Sequence, residues 1–140
     1  LKEERERADR RLKGLLQDAL EREASVLLAE APRGAHGPVV ARHFPDREMS
    51  EVSILAALIA SRGGIALLAA GEETPRAQFS APAGTMSMGE LLGRLCREHG
   101  GKGGGRSESA QGAIPRQSLN TALQAAREAA LAGGREGSKA

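Results

Sequence analysis

The sequence predicts an α/β fold: one small mixed β-sheet covered by helices and preceded by a long N-terminal helix. Three observations predict it. Leucine and alanine recur at helical spacing through residues 12–31, and again from residues 49, 88 and 119 onward. Two short apolar runs, Val39–Phe44 and Ile65–Ala70, stand between those stretches and have the length of strands. Turn clusters at 32–37, 62–64 and 71–75 separate the pieces. Short strands interleaved with amphipathic helices bury both sets of apolar faces by packing the helices on a sheet.

Residues 1–31 read as one helix. Leu12, Leu15, Leu16, Ala19, Leu20, Leu27, Leu28 and Ala31 keep to one side, and Glu3–Arg7 and Glu6–Arg10 form i,i+4 pairs in the charged front part. Such a helix is about 45 Å long, more than a small domain needs. Residues 1–11 read either as a projecting stalk or coiled coil, or as a solvated helix end. Gly14 weakens the helix locally. After the turn at 32–37, residues 39–44 read as a strand stopped by Pro45. Met49–Ser61 is a helix capped by Ser50 or Asp46, and Ile65–Ala70 is a buried central strand. Arg76–Ala81 alternates as the second, partly exposed strand of a hairpin. Ser87 caps a third helix through Met88, Leu91, Leu92, Leu95 and Cys96 to His99. Pro115 opens the last helix through Leu131. The organisation expected is a Leu-rich helix over 1–31, an α/β domain over 38–132 and a disordered tail over 133–140.

Composition narrows the function. The 140 residues carry a formal net charge of +2, no Trp, no Tyr and two Phe. Base stacking on aromatic platforms is nearly excluded, and a basic surface has to be local. A single cysteine, Cys96, rules out an internal disulfide and fits a reducing, cytoplasmic setting. No apolar run approaches a membrane span, so no membrane partner is expected. The chain begins at Leu1 without a signal-peptide pattern and reads as part of a longer protein.

The most informative stretch is Gly100-Gly101-Lys102-Gly103-Gly104-Gly105-Arg106. Ordering five glycines is costly. Such a segment is either a flexible linker or a loop whose backbone must come close to something, and two cations within a short run between helical patterns favour the loop. Exposed N–H groups between fixed cations suit phosphate or a nucleic-acid backbone. Arg94, Arg97, Lys102, Arg106 and Arg116 outnumber Glu98 and Glu108 over residues 94–116. The run is neither a Walker loop, since Lys102 lies inside it after a helix, nor a dinucleotide fingerprint, since Arg106 occupies the third glycine's place. No His-x-x-x-His or Cys-x-x-x-His pair is present, and no paired carboxylates stand out for acid–base work. Cys96 reads as a core residue and His99 as a cation at a helix C-terminus. The chain reads as a binding domain and not as a catalyst.

Gly100-Gly-Lys-Gly-Gly-Gly-Arg106, followed by Ala110-Gln111-Gly112, resembles the signature of the DHH-associated domain at the C-terminus of alanyl-tRNA synthetases and of long-form alanyl-tRNA editing proteins. The resemblance runs from about Val39 to Leu131, and Met88-Gly-Glu-Leu-Leu92 looks more like the editing branch. Ser107 and Glu108 replace the usual Pro and Asp, and Ala113-Ile114 replace further glycines. The resemblance implies a tRNA-binding and dimerisation module for tRNA with alanine identity. Lys102 and Arg106 would contact phosphate or sugar, with Gln111 nearby and the glycines permitting approach. It also implies that the hydrolysis of mischarged tRNA, and its zinc, belong to an upstream editing domain, with no cofactor in this chain. Two alternatives remain: the substrate-clamping half of a DHH-type phosphoesterase, in which His and not Arg follows the triple glycine, and a purely structural dimerisation domain.

Overall fold

Ile65–Ala70 is apolar at every position because both of its faces are covered. Ile65, Leu67 and Ala69 point into one hydrophobic cluster, while Ala66, Leu68 and Ala70 point into another. The computed structural model describes residues 1–133 and builds the rest of the fold around this strand. In chain order the elements are α1 (Lys2–Glu30), β1 (Arg33–Gly34), β2 (Gly37–Phe44), α2 (Met49–Ser61), β3 (Ile65–Ala70), β4 (Arg76–Ser80), α3 (Met88–His99), β5 (Lys102–Gly105), β6 (Ser109–Ala113) and α4 (Arg116–Leu131). The six strands form one open sheet in the order β1-β2-β3-β4-β6-β5. Only β2 and β3 run parallel, joined through α2; the other neighbours are antiparallel.

Helices lie on both faces. α3 and α4 close the first cluster over Phe79, Ala110 and Ile114. α1 and α2 close the second with Leu20, Ala24, Leu27, Val52, Leu55 and Ile59. In α1 only Leu20, Ala24 and Leu27 are buried; residues 1–19 are exposed along their whole length, Leu12, Leu15 and Leu16 included. Arg47 ties α1 to α2. Its guanidinium donates to Glu23 at 2.7 Å and to Glu51, and lies over the Phe44 ring at 4.9 Å. These carboxylates hold the Arg47 pKa above its ordinary value despite the opposing effect of burial.

Four expectations need correction. The helix after Phe44 is capped by neither Ser50 nor Asp46: Glu48 is its N-cap, without a side-chain hydrogen bond. The turn at 32–37 contains a short strand, β1, paired with the start of β2. β4 is not partly exposed beyond Arg76, because Ala77–Ser80 are all buried between neighbouring strands and beneath helices on both faces. The glycine stretch is not a loop; it is β5, paired with β6 as the edge hairpin of the sheet. The tail expected to be disordered lies, from residue 134, outside the described residues.

The Ser87 cap is as expected, with its side chain accepting from the Glu90 N–H at 3.2 Å. Ser87→Ala should therefore lower stability by about 1 kcal/mol, read as a thermal midpoint a few degrees lower with an unchanged far-ultraviolet circular dichroism spectrum.

Candidate nucleic-acid interface

Glycine is a poor strand former, so β5 owes its conformation to its neighbours. The chain leaves α3 through Gly100, in the left-handed region at φ +76°, where its N–H closes on the Cys96 carbonyl. A β-carbon at Gly101 would lie 2.3 Å from the Ala113 carbonyl oxygen. Gly103 pairs with Gly112, and Gly105 with Ala110; β-carbons there would fall 2.5 Å from Gly112 Cα and 2.6 Å from Ala110 Cα. These pairs lie on the side covered by α3, where Gly112 sits beside Cys96. α3 itself carries Gly89 against this hairpin, where a β-carbon would be 2.3 Å from the Gly105 carbonyl oxygen. Most of the glycines thus serve close packing of backbone on backbone.

Gly104 is different. It pairs with Gln111, on the face away from α3, and nothing lies within 4 Å of the place its β-carbon would take. Lys102 pairs with Ala113 on this same face. Across β6 the face continues to Gln78 and Ser80, the partners of Gln111 and Ser109. α2 covers β3 and β4 but does not extend over β5, so the outer hairpin carries Lys102, Gly104 and Gln111 on a bare sheet surface. Arg106 and the exposed Ser107 and Glu108 form the hairpin tip. Among the described residues, neither Lys102 nor Arg106 has a carboxylate within 4.0 Å.

The other face of the hairpin differs. Arg106 lines a groove of about 900 Å³ with Ser87, Glu90, Arg94 and Arg97; Lys102 is not among its walls. The basic residues that sequence places together are therefore divided: Lys102 lies with Gln111 on the uncovered sheet face, Arg94 and Arg97 are on α3, and Arg106 is at the tip between them. Arg116, at the start of α4, faces carboxylates instead, 3.9 Å from Glu72 and 4.0 Å from Glu73. Nor does the start of α3 offer free N–H groups to an anion. Met88 and Gly89 donate to the Ser107 and Arg106 carbonyls at 2.8 and 2.9 Å. The loop's nest-like character expected from sequence is replaced by a strand and a turn that caps a helix.

Sequence reasoning did not find Gln78. It is 3% exposed and bonded to Gln111, Ser53, Ser80 and Ser109. Its signal was the polar alternation of β4, which reads equally as a solvent-facing side.

Cys96 is buried, 3% exposed, and burial pushes its thiol pKa up, outweighing the lowering by Arg97. A raised thiol keeps the thiolate scarce at neutral pH. Cys96 should react with a disulfide reagent at pH 8 at least tenfold more slowly in the native chain than in denaturant; equal rates would contradict its burial. Among the described residues no group of three or more His, Cys, Asp or Glu could hold a metal ion, and no helix is long and apolar enough to cross a membrane.

A family model described as DHHA1 domain matches residues 36–132. The chain is 38% identical over 96 residues to an alanine–tRNA ligase of Methanoregula boonei, covering 68% of this chain and 10% of that protein. It is 39% identical over 72 residues to the alanine–tRNA ligase of Methanospirillum hungatei, covering 51% and 8%. The chain thus spans about a tenth of the length of these relatives. Among solved structures, the C-Ala domain of Aquifex aeolicus alanyl-tRNA synthetase aligns with a TM-score of 0.60 at 18% identity, over 69% of this chain and 93% of that one. RecJ of Thermus thermophilus in complex with Mg2+ aligns with a TM-score of 0.64 at 22% identity, over 87% and 19%. At these identities the structural likeness speaks for the fold alone.

Proposed function

The chain belongs to the DHHA1 domain family, and from that premise we propose that it is a tRNA-binding module that presents tRNA of alanine identity to chemistry carried out elsewhere in a longer protein. The observation that carries this reading is the bare outer hairpin: Lys102, Gly104 and Gln111 on one uncovered face, with Arg106 at its tip and no carboxylate within 4.0 Å of either cation among the described residues. Unpaired cations on an open, Cβ-poor backbone accept a phosphodiester chain at close range. The sequence likeness to alanine–tRNA ligases supports tRNA as the partner.

The parent protein is either a free-standing alanyl-tRNA editing protein or an alanyl-tRNA synthetase. In the editing case, hydrolysis of the mischarged ester and the zinc it uses belong to an upstream domain, and this chain supplies neither. Residues 1–19 of α1, with Leu12, Leu15 and Leu16 exposed, are the segment best suited to join the domain to the rest of a cytoplasmic protein or to pair two subunits. Arg106 after the triple glycine favours tRNA over the substrate of a DHH-type phosphoesterase, where the resemblance places His.

Fluorescence anisotropy of labelled tRNA with alanine identity, beside an unrelated tRNA and a small DNA duplex, tests this reading with the 140-residue chain. The expected result is salt-sensitive binding to tRNA. A folded chain that binds none of the three would overturn it and leave a structural, subunit-pairing role.

A further inference from the structure

Gln78 lies where an apolar residue would be expected. It pairs with Leu68 on β3, beneath α2, on the face that packs Val52, Leu55 and Ile59. A buried amide is costly unless fully bonded, and an apolar side chain in the same place carries no such cost. This amide is fully bonded. Its Oε1 accepts from Gln111 Nε2 at 2.7 Å and from Ser53 Oγ at 3.2 Å. Its Nε2 donates to Ser80 Oγ at 3.2 Å and to Ser109 Oγ at 3.1 Å. Two of these partners, Ser53 and Ser80, belong to the covered region or its border. The other two, Ser109 and Gln111, are exposed on β6, and Gln111 carries the network onto the bare hairpin face opposite Gly104.

We infer that Gln78 is a positioning residue, whose buried network sets the Gln111 amide so that its carbonyl Oε1 faces outward as a hydrogen-bond acceptor for a donor carried by RNA. The inference rests on the tRNA-binding reading and adds what the hairpin face reads. Donation of one Nε2 proton to Gln78 fixes which end of the Gln111 amide is turned inward and leaves Oε1 for a ligand. Across the strand pair, Gly104 has open space where a side chain would stand, so a sugar or base edge can approach the backbone beside that oxygen. Lys102 lies two residues along the same face, roughly 7 Å away, and supplies the charge for a neighbouring phosphate. The wide, shallow minor groove of an RNA helix offers two donors of the required kind, the ribose 2′-hydroxyl and the guanine amino group.

Binding of the 140-residue chain is compared for an RNA hairpin, the same hairpin with 2′-deoxyribose, and the same hairpin with inosine for guanosine, which lacks the amino group. The wild type should prefer the intact RNA over one of the two analogues by about fivefold, the effect of one hydrogen bond. The deoxy arm identifies the sugar and the inosine arm the base. Gln111→Ala and Gln78→Met should abolish the preference while keeping salt-sensitive affinity, and Gln78→Glu, which retains an acceptor for Gln111, should restore it. No preference in either arm by a wild type that binds RNA would overturn this inference while sparing the proposed function; no RNA binding at all would sink the proposed function as well. A readout without a variant is also available. The side-chain amide of Gln111 should be as ordered in 15N relaxation as the backbone around it, and more ordered than that of the exposed Gln117. Equal mobility of the two would overturn the positioning role even if Gln78→Met fails to fold.

Discussion

Gly89→Ala should lower the stability of the domain by about 3 kcal/mol and the thermal midpoint by roughly 10 °C, whereas Gly104→Ala should leave both nearly unchanged. The β-carbon at position 89 would come 2.3 Å from the Gly105 carbonyl oxygen and 3.1 Å from that of Arg106. Both obstacles are backbone, and the backbone there is fixed. The Arg106 carbonyl accepts from the Gly89 N–H, and the Arg106 N–H donates to the Ser109 carbonyl. Relief requires α3 to lift off the hairpin, which opens the cluster formed by Leu92, Leu95, Cys96, Phe79 and Ala110. Overpacking of a well-filled site costs about 1–3 kcal/mol, and rigid backbone on both sides places this one at the upper end. Position 104 has open space and an ordinary strand φ, so alanine fits. Thermal denaturation of the two variants beside the wild type measures the contrast. A Gly104→Ala variant as unstable as Gly89→Ala would mean that the outer face of the hairpin is not open.

Lys102→Ala/Arg106→Ala should weaken tRNA binding about thirtyfold at low salt and make the dependence of log affinity on log salt shallower by about 1.5. Each cation stands clear of any carboxylate among the described residues and contributes about 1 kcal/mol through a charge-assisted contact. Each also releases counterions from a neutralised phosphate, worth about 0.7–0.9 in the slope. Both side chains are exposed and away from the core, so stability should hold within about 0.5 kcal/mol. The paired control is Arg116→Ala. Arg116 faces Glu72 and Glu73, which offset its charge, and its loss should change the affinity less than threefold. A double variant that binds tRNA as tightly as the wild type would remove the hairpin from the interface.

How much of this was legible in the sequence depends on what each residue answers to. Met49–Ser61, Ile65–Ala70 and Met88–His99 are as periodicity places them, because their patterns are set by faces the elements bury themselves. The Ser87 cap is a local device and could be read locally. The glycine stretch could not. Glycine carries no strand preference of its own, and β5 exists because α3, through Gly89, and β6, through Ala110 and Gly112, accept a backbone without side chains. β4 misled for a related reason. Its Gln78 and Ser80 alternate with Ala77 and Phe79 as a half-exposed strand would, yet both faces are covered, and the polar one is satisfied by Ser53 from α2 and by β6. The candidate interface was legible as a set of residues but not as a geometry. Alternation along β5 turns Lys102 and Gly104 to the bare face, and the hairpin tip sets Arg106 between that face and the groove beside α3.

The proposed function puts RNA on the outer hairpin. Titration of the 15N-labelled chain with tRNA of alanine identity, followed by backbone and side-chain amide shifts, tests that placement. Saturable changes are expected at Lys102, Gly104, residues 106–108 and the Gln111 side chain, with α2 and the rest of the second cluster undisturbed. Saturable binding whose changes fall on α1 or α2 and leave β5 and β6 unmoved would contradict it.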